Sequence, residues 1–78
     1  MNITRLTAPD ENTIDWIGDH ADPFDFYTYS QWLDYLSVKF GFEYVYSRGF
    51  RSVMRSYWAE TKGLERKEQG LAPFGNKI

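Results

Sequence analysis

Apolar residues recur with a helical period most clearly in the C-terminal half of this 78-residue chain. Between Arg48 and Lys62, Phe50, Val53, Met54, Tyr57 and Thr61 fall at i, i+3, i+4, i+7 and i+11, one face of a 3.6-residue repeat. Gly63 follows as a helix stop. On the adjoining face Arg48, Arg51, Arg55 and Lys62 align at spacings of three, four and seven, with Trp58 at the seam between the two stripes. The pattern predicts an amphipathic helix over about 48–62 with one apolar and one basic side.

A second helix is predicted from about Gln31 to Phe40, with Ser30 as its N-cap and Gly41 just past its end. Trp32, Leu33, Leu36 and Phe40 form its apolar face. Gln31, Asp34, Tyr35 and Val38 point outward, and an exposed Tyr beside an exposed Val is unusual there. The segment FEYVYS, 42–47, is rich in residues that favour extended backbone and reads as a short strand or a linker. Near the N-terminus, TAPDENTIDWIG suits a short helix capped by Thr7 or Asp10, with Pro9 in its first turn and Ile14, Ile17 and Trp16 facing inward. Asp22-Pro23 marks a turn inside an irregular loop from Gly18 to Thr28. Gly70, Pro73 and Gly75 follow in close succession, so 66–78 reads as a flexible tail. The expected fold is mainly α, a compact domain of about three helices over 1–65, with α+β as the alternative if 42–47 is a strand.

Size and composition sharpen this picture. A chain this short buries only about 60–65% of the surface its unfolded form exposes, and with no Cys it has neither a disulfide nor a thiolate metal site to help. Aromatic rings, 19% of the residues, must carry much of the core. MNITRLTAPDEN holds no apolar run of signal-peptide type, and no segment approaches the roughly 20 apolar residues that span a bilayer. The expected setting is cytoplasmic.

The net charge of −2 conceals a division along the chain. Between Leu6 and Val38 there is no Lys or Arg, while Asp10, Glu11, Asp15, Asp19, Asp22, Asp25 and Asp34 all lie in that interval. From Tyr44 onward, Arg48, Arg51, Arg55, Lys62, Arg66, Lys67 and Lys77 outnumber Glu60, Glu65 and Glu68. The acidic aromatic part, 1–43, and the basic helix either neutralise each other in the fold or face different partners.

Few reactive constellations are present. Asp15, Asp19, His20, Asp22 and Asp25 are spaced unlike a calcium loop, and a single His is too few for zinc or iron, so no metal and no cofactor is expected. There is no Cys nucleophile, no phosphate-cradling glycine loop and no serine in a nucleophile setting, so no catalytic residue is assigned. LSVKFGF, Leu36 to Phe42, is similar to the turn of a helix-turn-helix: a small Ser, Gly four residues on, then an apolar residue. Gly49, inside what would be the recognition helix, and Ser47, where an apolar residue belongs, depart from that pattern.

Two macromolecular surfaces remain. GDHADPFDFYTYSQW, Gly18 to Trp32, interleaves carboxylates with rings, the combination that steers toward and anchors on a basic protein. Asp19, Asp22, Asp25, Tyr27, Tyr29, Asp34 and Tyr35 are its candidate contact residues. The plain alternative makes Phe24 and Phe26 core and the aspartates a solvated surface. Arg48, Arg51, Arg55, Trp58 and Lys62 form a candidate nucleic-acid face, opposed by the acidity of the chain as a whole. The expected function is therefore a non-catalytic inhibitor or modulator of a protein partner, one that handles nucleic acid and is blocked in competition with it. Such a compact, acidic, Cys-free chain suits a phage or mobile element acting on its host. A DNA-binding regulator is the second reading, and a subunit whose rings bury against copies of the same chain is the third.

Overall fold

The computed structural model describes residues 8–75, and all regular structure among them is helical. The order is α1 (Glu11–His20), a single 3-10 turn (Pro23–Asp25), α2 (Tyr29–Phe40), α3 (Phe42–Val45), α4 (Arg48–Glu60) and α5 (Lys62–Glu68). Five helices thus replace the three expected, because one predicted linker and one predicted tail are themselves helical. Thr7, the alternative first cap, and Lys77 lie outside the described residues.

Asp10 starts α1, its carboxylate accepting from the Thr13 amide at 2.8 Å. That bond holds the Asp10 carboxyl below its ordinary value. Ile17 is the fully buried residue of the helix, with Ile14 and Trp16 packed beside it. The chain then closes on buried Ala21 and turns at Asp22, whose side chain accepts from the Phe24 amide at 2.9 Å.

The second helix begins earlier than Ser30. Thr28 is the N-cap, its hydroxyl accepting from the Gln31 amide, while the Gln31 side chain accepts from the Tyr27 amide, both at 3.2 Å. This reciprocal exchange is a variant of the Thr-x-x-Gln capping box, displaced by one residue at its return bond. It draws Tyr29 into the helix, in phase with Trp32, Leu33 and Leu36 on the buried face. Gly41 ends α2 at φ +100°, a conformation that disfavours any side chain.

Residues 42–45 form one helical turn instead of a strand. Val45 packs into the core and Phe42 and Tyr46 stack at i, i+4 with ring centroids 4.6 Å apart, so burial follows the helical period despite residues that favour extension. The helix after Gly41 therefore ends within one turn, too short to serve as a recognition helix.

In α4 the core takes Phe50, Met54 and Trp58, with Tyr57 half-buried and Val53 exposed. Relative to the expected face, the helix is rotated enough to bring Trp58 in and turn Val53 out. Thr61 breaks the helix (φ −121°, ψ −98°), its hydroxyl donating to the Tyr57 carbonyl at 2.7 Å. Gly63 is not the stop. It lies buried inside α5, where a Cβ would sit 2.9 Å from the Trp58 carbonyl oxygen, so glycine permits the close approach of the two helices.

Residues 66–75, expected as a loose end, fold back over the core. The buried Trp58 indole needs an acceptor for its N–H and finds the Pro73 carbonyl at 2.7 Å. Trp32 likewise donates to the Ala21 carbonyl at 2.7 Å, and the two indoles pack with centroids 5.6 Å apart. Phe74 meets Tyr29 edge-on at 5.1 Å and completes the wall beside Trp58. Residues 66–75, excluded from the expected domain, thus pack against its core.

Candidate partner-docking surface

The surface begins at the turn after α1. Asp22 caps this turn and Pro23 is buried beneath it, which projects Phe24 outward beside exposed Asp25. Phe26 turns back and packs on Tyr35 of α2, with centroids 5.3 Å apart. Tyr27, 64% exposed, has its backbone fixed from both sides: its amide is held by Gln31 and its carbonyl accepts from Arg66 Nη1 at 2.9 Å. The Arg66 guanidinium also lies 5.1 Å from the Tyr27 ring centroid, a cation–π geometry. Exposed rings here stand on a rigid frame.

The expected contact residues separate into groups. Asp25, Tyr27 and Tyr35 are exposed around the Phe26–Tyr35 pair. Asp19 and Asp22 face the Tyr57 hydroxyl, which burial pushes up in pKa and which the two carboxylates raise further. Asp34 turns to the other flank of α2, where its Oδ1 accepts from the Tyr46 hydroxyl at 3.3 Å. Tyr29 leaves the set, because it is only 7% exposed and packs among Trp32, Trp58 and Phe74. Burial raises its hydroxyl pKa although Arg51 and Arg55 pull the other way.

The residue pattern as first read misses Phe42 as a surface ring, with partly buried Tyr46 stacked behind it. The signal for Phe42 is the series Tyr35, Val38, Phe42, at i, i+3 and i+7, which continues the outward side of α2 across Gly41. Val38 is 87% exposed and Phe42 67%.

The basic face is shorter than expected. Arg48, Arg51 and Arg55 remain exposed along α4, Arg51 over the Tyr46 ring (5.9 Å) and Arg55 over Phe74 (4.5 Å). Trp58 is fully buried and cannot stack on a base. Lys62 lies beyond the Thr61 break and pairs with Glu65 at 3.0 Å. Among the described residues this is the one ion pair, so the acidic and basic parts do not neutralise each other at contact distance.

Among the described residues no group of three His or carboxylate side chains gathers to hold a metal, and His20 stacks against Trp16 at 4.8 Å. No described helix is long and apolar enough to cross a membrane. No protein-family model, no curated protein and no solved structure matches the chain.

Proposed function

We propose that this chain is a non-catalytic binding protein that docks on a basic protein surface through the 22–27 turn and the adjoining flank of α2, blocking that surface to nucleic acid. One observation carries the reading: Phe24, Tyr27 and Tyr35 are exposed on and beside the turn that carries Asp22 and exposed Asp25, and no described cation pairs with those two carboxylates. Exposed rings on a fixed frame lose little conformational freedom on binding and serve as anchors. Unpaired carboxylates around them supply steering toward a basic target. A partner that handles nucleic acid is the natural owner of such a target, and a phage or mobile-element protein is the kind of chain that would exploit it.

The test is affinity capture with the immobilised chain, identifying both proteins and nucleic acids in the eluate. A single protein recovered in stoichiometric amount, and lost when Tyr27 and Tyr35 are changed together to Ala, is the expected result. Nucleic acid that leaves in moderate salt, and is lost with Arg51→Glu and Arg55→Glu, would overturn it in favour of the three unpaired arginines of α4 as a phosphate-binding face.

A further inference from the structure

Tyr46 sits at the meeting point of three chemistries. Its hydroxyl donates to Asp34, its ring stacks on Phe42, and Arg51 lies over the same ring. Asp34 and Val38 share one side of α2 at i, i+4. The result is one patch around Tyr46 that carries an acid, a base and exposed apolar surface. It includes the two most exposed large apolar side chains of the described residues, Val38 and Phe42. Neither Asp34 nor Arg51 has an ion-pair partner within the described chain.

We propose that a second copy of this chain covers the patch, forming a two-fold dimer centred on Phe42 and Val38. A two-fold contact is self-complementary: whatever residue i meets on its partner meets i in return. A patch with one sign of charge would repel its own copy. Here Asp34 at the Tyr46 hydroxyl and Arg51 over the Tyr46 ring put both signs on one patch, so a two-fold contact can form two equivalent Asp34–Arg51 pairs across the axis. The unpaired charges and the exposed valine and phenylalanine are then satisfied by the same event. The inference goes beyond the proposed function and does not depend on it.

Sedimentation equilibrium tests it at low and high salt. The parent protein should reach twice the 9.2 kDa of the single chain, and salt should weaken the association by screening the paired charges. Asp34→Arg alone and Arg51→Asp alone should each weaken it at least about tenfold, since each places like charges at both symmetric contacts. An equimolar mixture of the two should form a heterodimer, and the double variant should dimerise again. Phe42→Ser, at an exposed position, should also dissociate the dimer while keeping the circular dichroism of the parent, which covers the case where a charge variant fails to fold. A parent that stays monomeric up to about 500 µM at low salt, far weaker than an ordinary stable association, would overturn the dimer. So would charge variants that dimerise as well as the parent, or a mixture that fails to pair. Particles growing beyond two copies would overturn the two-fold arrangement.

Discussion

Arg66 offers the sharpest test of how the chain end supports the docking turn. It is a charged side chain only 5% exposed and without a carboxylate partner among the described residues. Its guanidinium instead donates to two backbone carbonyls, from Nε to Ala72 at 2.7 Å and from Nη1 to Tyr27 at 2.9 Å. Those two bonds tie the segment after α5 to the loop before α2. Arg66→Met keeps most of the apolar stem and removes both bonds together with the contact to the Tyr27 ring. Charge-assisted hydrogen bonds contribute about 1.5–3 kcal/mol each. The freed carbonyls belong to exposed residues and recover water, and the desolvation cost of the arginine disappears as well. The net loss should therefore fall near the low end, about 2–3 kcal/mol, or roughly 8–24 °C in Tm for a domain of this size. Arg66→Lys should recover little of it, because one ammonium cannot span two carbonyls that the planar fork reaches in different directions. Urea unfolding followed by tryptophan fluorescence measures the change, and hydrogen exchange at the Leu71 and Gly75 amides locates it. If Arg66→Met unfolded within about 0.5 kcal/mol of the parent, the level of an ordinary surface change, the clamp would carry no weight and the reasoning would fail.

Phe50→Ala should cost about 3–5 kcal/mol for a fully buried ring, and Tyr57→Ala less, because Tyr57 is only half-buried; thermal melts check the order. Gly63→Ala should destabilise by about 1–3 kcal/mol, since crowding against the Trp58 carbonyl outweighs the gain of about 1 kcal/mol in helix propensity; a more stable variant would refute the close approach. Changing Asp19 and Asp22 together to Asn should lower the Tyr57 pKa in an ultraviolet titration, without abolishing the rise that burial causes. The Asp10 carboxyl is depressed in the folded state, so its capping contribution is complete above the ordinary value of 3.8 and is lost as pH falls through the lower folded value. Asp10→Ala should accordingly destabilise at neutral pH and converge with the parent in strong acid.

How much of this fold the sequence discloses depends on which helix start is recognised. Mainly helical structure, the Asp10 cap, the Gly41 stop and the apolar residues of α2 all follow from local signals. Tyr29 does not follow if Ser30 is taken as the cap, because it then belongs to a loop. Thr28-x-x-Gln31 is the better signal, since Gln31 can return a bond to the preceding backbone and Ser30 has no such partner three residues on. Once Tyr29 is helical, the series Tyr29, Trp32, Leu33 and Leu36 has the i, i+3, i+4, i+7 spacing of a buried stripe. In α4 two overlapping stripes compete, differing by about 45° in mean direction at 100° per residue. The core chooses the one that includes Trp58, whose large indole and N–H are both accommodated only when the Pro73 segment folds back. That long-range acceptor leaves no local trace in the sequence.

The same physics explains why the candidate surface was harder to read than the core. Aromatic rings serve both purposes in this chain, and residue type alone does not separate Tyr27 from Tyr29, two positions apart with 64% and 7% exposure. What separates them is that Tyr29 enters the first helical turn in phase with Trp32, whereas Tyr27 stands outside the cap with its backbone held by Gln31 and Arg66. Charge is also sorted by geometry more than by position in the chain. The acidic half and the basic helix form no ion pair among the described residues, yet Asp34 and Arg51 meet the same tyrosine, one at its hydroxyl and the other over its ring. A linear division into acidic and basic parts therefore becomes, in three dimensions, two surfaces of different character: an acidic turn bearing exposed rings, and a patch around Tyr46 that carries both signs.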